Sequence, residues 1–329
     1  MIGRIQCFLA VAACAAGVIC CGGSNDEVPP VSADPAASEP PPREQSADQP
    51  AASSNAPPAP PAPADPMPGL NFPSDPPAKE LPQGWVVDDD NNLVRFPLGA
   101  PGLVTTTAIT GLVAGENIVG IDIRPADGKI YALGTTSRIY TLDKKTAAAT
   151  LISKQPFTPA LQGQGWGMDF NPVVDKLRVV TEFDQNLRVD PTTGAVVMNT
   201  ADAMLAFAPG DPNEGQSPAI VGAAYTNSVS PAPKATTLYG IDATRDLLVK
   251  IPSPNDGKVQ TIGDLGVIVA DDTLGFDIRG TEETTLEAYI AMRVGDKNNL
   301  YRVDLATAKT TLVATIGVQI PIHGLAVDP

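Results

Sequence analysis

Apolar and polar residues alternate through 118–153 in four short runs, at 118–124, 129–133, 138–143 and 148–153. The breaks between them, Pro125-Ala-Asp-Gly128, Gly134-Thr-Thr-Ser137 and Lys144-Lys-Thr146, are rich in turn-forming residues. A period of two interrupted this way predicts β-hairpins. The pattern returns at 176–181 and 186–190, at 237–241 and 246–250, and at 288–292 and 299–304. Each unit predicts a four-stranded antiparallel sheet.

One phrase marks the start of each unit. It reads Gly120-Ile-Asp-Ile-Arg-Pro125, Gly167-Met-Asp-Phe-Asn-Pro172, Gly222-Ala-Ala-Tyr-Thr-Asn227, Gly275-Phe-Asp-Ile-Arg-Gly280 and Gly324-Leu-Ala-Val-Asp-Pro329, with glycines 47, 55, 53 and 49 residues apart. Such a period, with several strands per unit, predicts a propeller built from four-stranded blades. The opening unit, 85–111, has three strand-like runs and lacks the Gly-led one, whereas 324–329 supplies only that one. Pairing them completes a fifth blade and closes the ring without leaving a bare edge. The predicted fold is therefore an all-β, five-bladed propeller over 83–329, with the C-terminal strand joining the N-terminal blade. Residues 201–219 do not fit the repeat and read as an insertion, with a sixth, degenerate blade as the alternative.

Composition divides the rest of the chain. Residues 1–21 carry Arg4 and then an apolar stretch at 5–19, too short to span a bilayer, as in an export signal. Val18-Ile-Cys-Cys21 resembles a lipoprotein cleavage box and points to lipidation at Cys21; Cys14 is the competing position, and secretion without lipid the other outcome. Between 22 and 82 the chain is Pro-, Ala- and Ser-rich, with 18 of its 34 prolines falling at 29–82. This segment cannot bury enough apolar surface to order itself, and it reads as a disordered arm. The expected setting is a bacterial envelope, with the head held to a membrane by lipid alone.

All four cysteines lie within 1–21, so the head has no thiolate metal site and no cysteine nucleophile. From residue 81 onward, 19 basic and 28 acidic residues give −9, which disfavours nucleic acid. A glycan, peptide or protein of the envelope is the expected partner.

The third position of the phrase holds Asp122, Asp169 and Asp277, but Ala224 and Ala326 in the other two copies. On innermost strands these acids converge on the channel. There they would bind Ca²⁺, the one cofactor suggested, act on a glycosidic bond, or pair with Arg124 and Arg279 two residues along the same face. Trp166, among the glycines of Gly163-Gln-Gly-Trp-Gly167, reads either as a wedge between blades or as a sugar-stacking platform. The sole histidine, His323, reads as a packed or hydrogen-bonded side chain. Asp88-Asp-Asp-Asn-Asn92 has part of a calcium-loop spacing, yet falls where a hairpin turn is required.

Three stretches carry a family likeness: Gly120-Ile-Asp-Ile-Arg-Pro-Ala-Asp-Gly-Lys-Ile-Tyr-Ala-Leu-Gly134, Phe170-Asn-Pro-Val-Val-Asp-Lys-Leu-Arg-Val-Val180 and Val221-Gly-Ala-Ala-Tyr-Thr-Asn-Ser228. They resemble the bacterial domain of unknown function 4394 family over nearly all of 84–329. The resemblance implies a propeller-like envelope domain and brings no assigned activity or catalytic residues. The expectation is a binding module, with a glycan-directed hydrolase using the channel acids as the alternative.

Overall fold

The computed structural model describes residues 81–198, 202–269, 274–281 and 285–329. The export segment, Cys14, Cys21 and the arm through residue 80 lie outside the described residues. The first blade contains β1 (Gln83–Asp88), β2 (Asn92–Pro97) and β3 (Thr105–Ala108). The second contains β4 (Ile118–Ile123), β5 (Ile130–Gly134), β6 (Arg138–Leu142) and β7 (Ala149–Leu151). The third contains β8 (Trp166–Asn171), β9 (Lys176–Thr181) and β10 (Asn186–Val189). A two-residue strand, β11 (Ala206–Phe207), precedes the fourth blade of β12 (Ile220–Tyr225), β13 (Leu238–Asp242), β14 (Leu247–Ser253) and β15 (Lys258–Asp264). The fifth is β16 (Leu274–Arg279), β17 (Glu287–Val294), β18 (Lys297–Val303) and β19 (Thr310–Thr315), and β20 (Ile322–Val327) follows.

β20 pairs antiparallel with β1, Gly84 opposite Val327 and Val87 opposite His323, so both ends of the ring share one sheet. Backbone bonds reinforce this seam, with Asp328 N donating to Gln83 O at 2.9 Å. The five Gly-led strands are innermost and pack in cyclic order: β4 on β8, β8 on β12, β12 on β16, β16 on β20, β20 on β4. Five blades are thus formed by the described residues, and the sixth-blade alternative for 201–219 is not realised.

Two blades depart from the expected four strands. The third has three, because beyond the turn at Asp190 the returning chain makes only the Val189–Val196 bridge. The chain then passes to the fourth blade, where β11 adds in parallel to the outer edge of β15 as a fifth strand. Within the insertion, Ala206 and Phe207 therefore protect a stretch of sheet edge that would otherwise offer unpaired backbone groups.

Burial follows the alternation. Five apolar clusters fill the five seams, for example Trp85, Ile121 and Tyr140 between the first and second blades, and Phe96, Leu300 and Leu325 between the fifth and first. Each blade face is covered by its neighbour, so no single blade holds a core of its own. At the axis the strands approach too closely for side chains. A Cβ on Gly275 would collide with the backbone of Gly324, which itself has φ of 61°. The repeated glycine is thus a requirement of ring closure.

Candidate functional site

Two residues along each inner strand from its glycine, the same face presents the third position of the phrase. Asp122, Asp169 and Asp277 meet there, each offering an oxygen within 4.8 Å of the others, and all three are buried. Their expected partners do not reach them. Arg124 turns outward to Asp175 of the third blade, to Asp127 at 3.0 Å and to the Tyr131 hydroxyl at 3.0 Å. Arg279 pairs with Glu287 at 3.0 Å and donates to Asp328 O at 2.9 Å. The i, i+2 pairing expected from sequence is therefore corrected: each arginine stitches the rim of the ring, and the acids are left to the backbone.

The backbone takes up nearly all of their capacity. Asp122 Oδ2 accepts Phe170 N–H of the next blade at 2.8 Å, and Oδ1 accepts Ile123 N–H at 2.6 Å. Asp277 repeats this with Val327 N–H at 2.7 Å and Ile278 N–H at 2.6 Å. Asp169 is supported by the N–H of Tyr225 on the following blade, while its Oδ1 has no hydrogen-bond partner among the described residues. These donors are the fourth residue of each phrase. Each third-position acid thus holds the N–H of the next blade. Where that position is Ala326 or Ala224, the following blade's own aspartate turns its Oδ1 back to Ile123 or Ile278. Five N–H groups meet six oxygens, and Asp169 Oδ1 is the one left over.

Three carboxyls so close and so dry do not all ionise at neutral pH. Burial, then the charge of Asp277, pushes Asp122 well above the usual carboxylate range. Burial, then the charges of Asp122 and Asp277, does the same to Asp169. Burial lifts Asp277 to about 7. Glycoside hydrolysis needs two carboxyls about 5 Å or more apart across an accessible sugar. These acids are enclosed, and a gap of about 10 Å³ among the channel glycines, near the size of one water, is lined without them.

Space for a ligand lies instead at the mouth of the ring. A cavity of about 340 Å³ is lined by Asp88, Asp89, Asn91, Asn117, Thr135, Gln164, Trp166 and His323, drawn from three blades and the closing strand. Trp166 opens β8 half-buried, packs against the Val119–Phe170 cluster and donates Nε1–H to Gln162 O at 3.0 Å. It is both wedge and wall. His323 Nε2 lies 2.6 Å from Asp89 Oδ1, the hydrogen-bonded role expected of it. Asp88 closes the β1–β2 turn, its Oδ1 accepting Asp90 N–H at 3.1 Å and Asn92 N–H at 2.8 Å. That is the hairpin reading of the acidic run.

Asn91, Asn117, Thr135 and Gln164 were not singled out by the sequence. Asn91, at φ of 57°, ties two blades by accepting Ile118 N–H at 2.8 Å and donating to Asn117 Oδ1 at 2.9 Å. Its turn position was the only available signal, since loop residues of different repeats share no pattern.

Residues 92–326 match the family model described as Domain of unknown function (DUF4394), and the chain belongs to that family. No curated protein matches it by sequence. Among solved structures, it is similar to a chain of a nidogen/laminin complex at 12% identity and TM-score 0.42, covering 74% of this chain and 98% of that one. A Bacteroides thetaiotaomicron protein of unknown function aligns at 14% identity and TM-score 0.44, over 74% and 64% of the two chains. A Lactobacillus plantarum protein aligns at 18% and 0.37, over 74% and 70%.

Proposed function

We propose that this DUF4394 protein is a non-catalytic binding module of the bacterial envelope, whose mouth cavity takes a neutral, hydroxyl-rich ligand such as a glycan segment. The observation that carries this reading is the cavity beside Trp166. An indole fixed by its own hydrogen bond stands among amide, hydroxyl and carboxylate groups, in a volume suited to one or two sugar rings. Stacking supplies area, while the amides and acids satisfy hydroxyl donors and acceptors in turn. The enclosed channel acids favour binding over hydrolysis. Lipidation at Cys21 and the Pro-rich arm would hold the head clear of a membrane surface, with peptide or protein partners as the competing ligands.

The test is a glycan array followed by calorimetry on the full chain, with Trp166→Ala and Asn117→Ala as variants. A neutral glycan should bind, and Trp166→Ala should weaken it at least tenfold. Binding unchanged in both variants, or confined to a peptide, would remove the proposal. Arms with Ca²⁺ and with EDTA report whether the three axial carboxylates take a cation, since they offer hard oxygen ligands. Labelling with an alkynyl fatty acid, abolished by Cys21→Ser and retained in Cys14→Ser, tests the anchor.

A further inference from the structure

Asp122, Asp169 and Asp277 come from the second, third and fifth blades and are 5%, 1% and 3% exposed. Among the described residues, no cationic side chain bonds to any of them. Arg124 and Arg279 are engaged at the rim with Asp127, Asp175 and Glu287. Arg178, paired across the hairpin from Asp169, donates instead to the Tyr225 hydroxyl, Asn186 Oδ1, Asp202 Oδ2 and Asn255 Oδ1. Interior charge without compensation is costly, so the cluster calls for a positive partner.

A second observation points the same way. Tyr225 N–H of the following blade takes one oxygen of Asp169, and Oδ1 has no hydrogen-bond partner among the described residues. An acceptor buried so deeply gives up its hydration and receives nothing from the protein in return. It belongs to a carboxyl within the cluster, whose three ligand oxygens all lie within 4.8 Å of one another. Three points so spaced share a centre within about 2.8 Å of each, near the roughly 2.3–2.6 Å of Ca²⁺–oxygen bonds. The oxygens that already accept N–H bonds keep a second lone pair for an ion. Carboxylate oxygens without nitrogen or sulfur favour a hard cation, and Mg²⁺ asks for a tighter octahedral shell at about 2.1 Å.

We infer that Asp122, Asp169 and Asp277 hold one Ca²⁺ on the axis, which clamps the second, third and fifth blades to one another. On β8, Gly167 lies between the acid and Trp166 at the mouth end. The repeated glycines and Trp166 surround a gap about one water wide, so the axis is narrow on that side. The ion therefore enters as the blades close, and its binding energy becomes folding energy. The site is separate from the mouth cavity and does not depend on a glycan binding there.

Refolding of the full chain from urea, in EDTA or in millimolar Ca²⁺, Mg²⁺ or Na⁺, tests the clamp by thermal melting. Ca²⁺ should raise the melting temperature by at least about 5 °C over EDTA, Mg²⁺ by less and Na⁺ not at all. Elemental analysis after desalting should find one Ca²⁺ per chain. Asp169→Asn keeps the backbone bond to Tyr225 and folds in EDTA, but its Ca²⁺ shift should vanish and its calcium content fall to zero. Asp90→Ala, in the acidic run 88–92, should keep both. No shift and no retained Ca²⁺ in the parent chain would overturn the inference, as would a larger shift with Mg²⁺. A Ca²⁺ response that survives Asp169→Asn, or that Asp90→Ala removes, would also defeat it.

Discussion

Asp122, Asp169 and Asp277 at the axis are between 1% and 5% exposed, and backbone N–H groups of their own and adjoining blades use all but one of their oxygens. At the mouth, Asp89 is 47% exposed on its side chain and bonds a histidine that is itself accessible from the cavity. The residue type is the same; the repeat places one set and the loops the other. Positions that recur in every blade are occupied in holding blades together. Positions outside the repeat, in turns and at hairpin ends, are where surface chemistry is free to differ. The comparison teaches that convergence of acids on a symmetry axis is first a consequence of repetition.

The strongest way to break this comparison is to delete an axial acid. Asp122→Ala or Asp277→Ala leaves two buried N–H groups without acceptors, and each should lose about 3 kcal/mol of stability by urea unfolding. A change under about 1 kcal/mol would mean the backbone does not depend on these carboxylates. The pH profile is the next largest effect. Asp277 is lifted from an ordinary 3.8 to about 7, and the other two are raised as well. The folded state holds protons that the unfolded chain releases, so this contribution is full below about pH 4 and is lost as pH rises through about 7. Thermal melting should therefore occur at higher temperature at pH 5 than at pH 8. The reverse order would refute shared protonation.

Asp169→Asn sharpens the contrast within the triad. Its amide oxygen still accepts from Tyr225, while the NH₂ replaces the oxygen that lacks a partner. Stability at pH 8 should change by less than about 1 kcal/mol, and the pH dependence should flatten. Asp122→Asn, which places an NH₂ where an N–H must be accepted, should cost about 2 kcal/mol at the same pH. Equal losses in the two variants would contradict the oxygen count. At the mouth, Asp89→Ala breaks only an exposed pair and should shift stability by under about 1 kcal/mol.

Much of this fold was legible because a propeller writes its plan once per blade. The glycine spacing marked the inner strands, and the missing strand of 85–111 matched the surplus strand at 324–329. The meeting of the three acids followed from their shared position in the phrase. What they bond to did not, because Arg124 and Asp122 share a face in sequence terms, and only the neighbouring blade supplies Asp175 to draw the arginine outward. The third blade misled for a different reason: Val196 and Val197 look like strand residues, yet the chain leaves for the fourth blade after one bridge. Arg178 sits in an ordinary alternating run, Lys176-Leu-Arg-Val-Val-Thr181, and nothing local says that its side chain is buried.

The pairing of residues 83–88 with 322–327 also bears on how the ring is assembled. Every other hairpin joins neighbours in the chain, whereas this zipper must draw together segments more than 230 residues apart. Its loop-closure penalty is the greatest of any strand pairing among the described residues, so this pairing is expected to form last, a sequence that pulse-labelled hydrogen exchange of residues 83–88 and 322–327 would check. Until then the hydrophobic faces of Phe96 and Leu325 stand open to water. The nascent head is thus at its most adhesive just before completion.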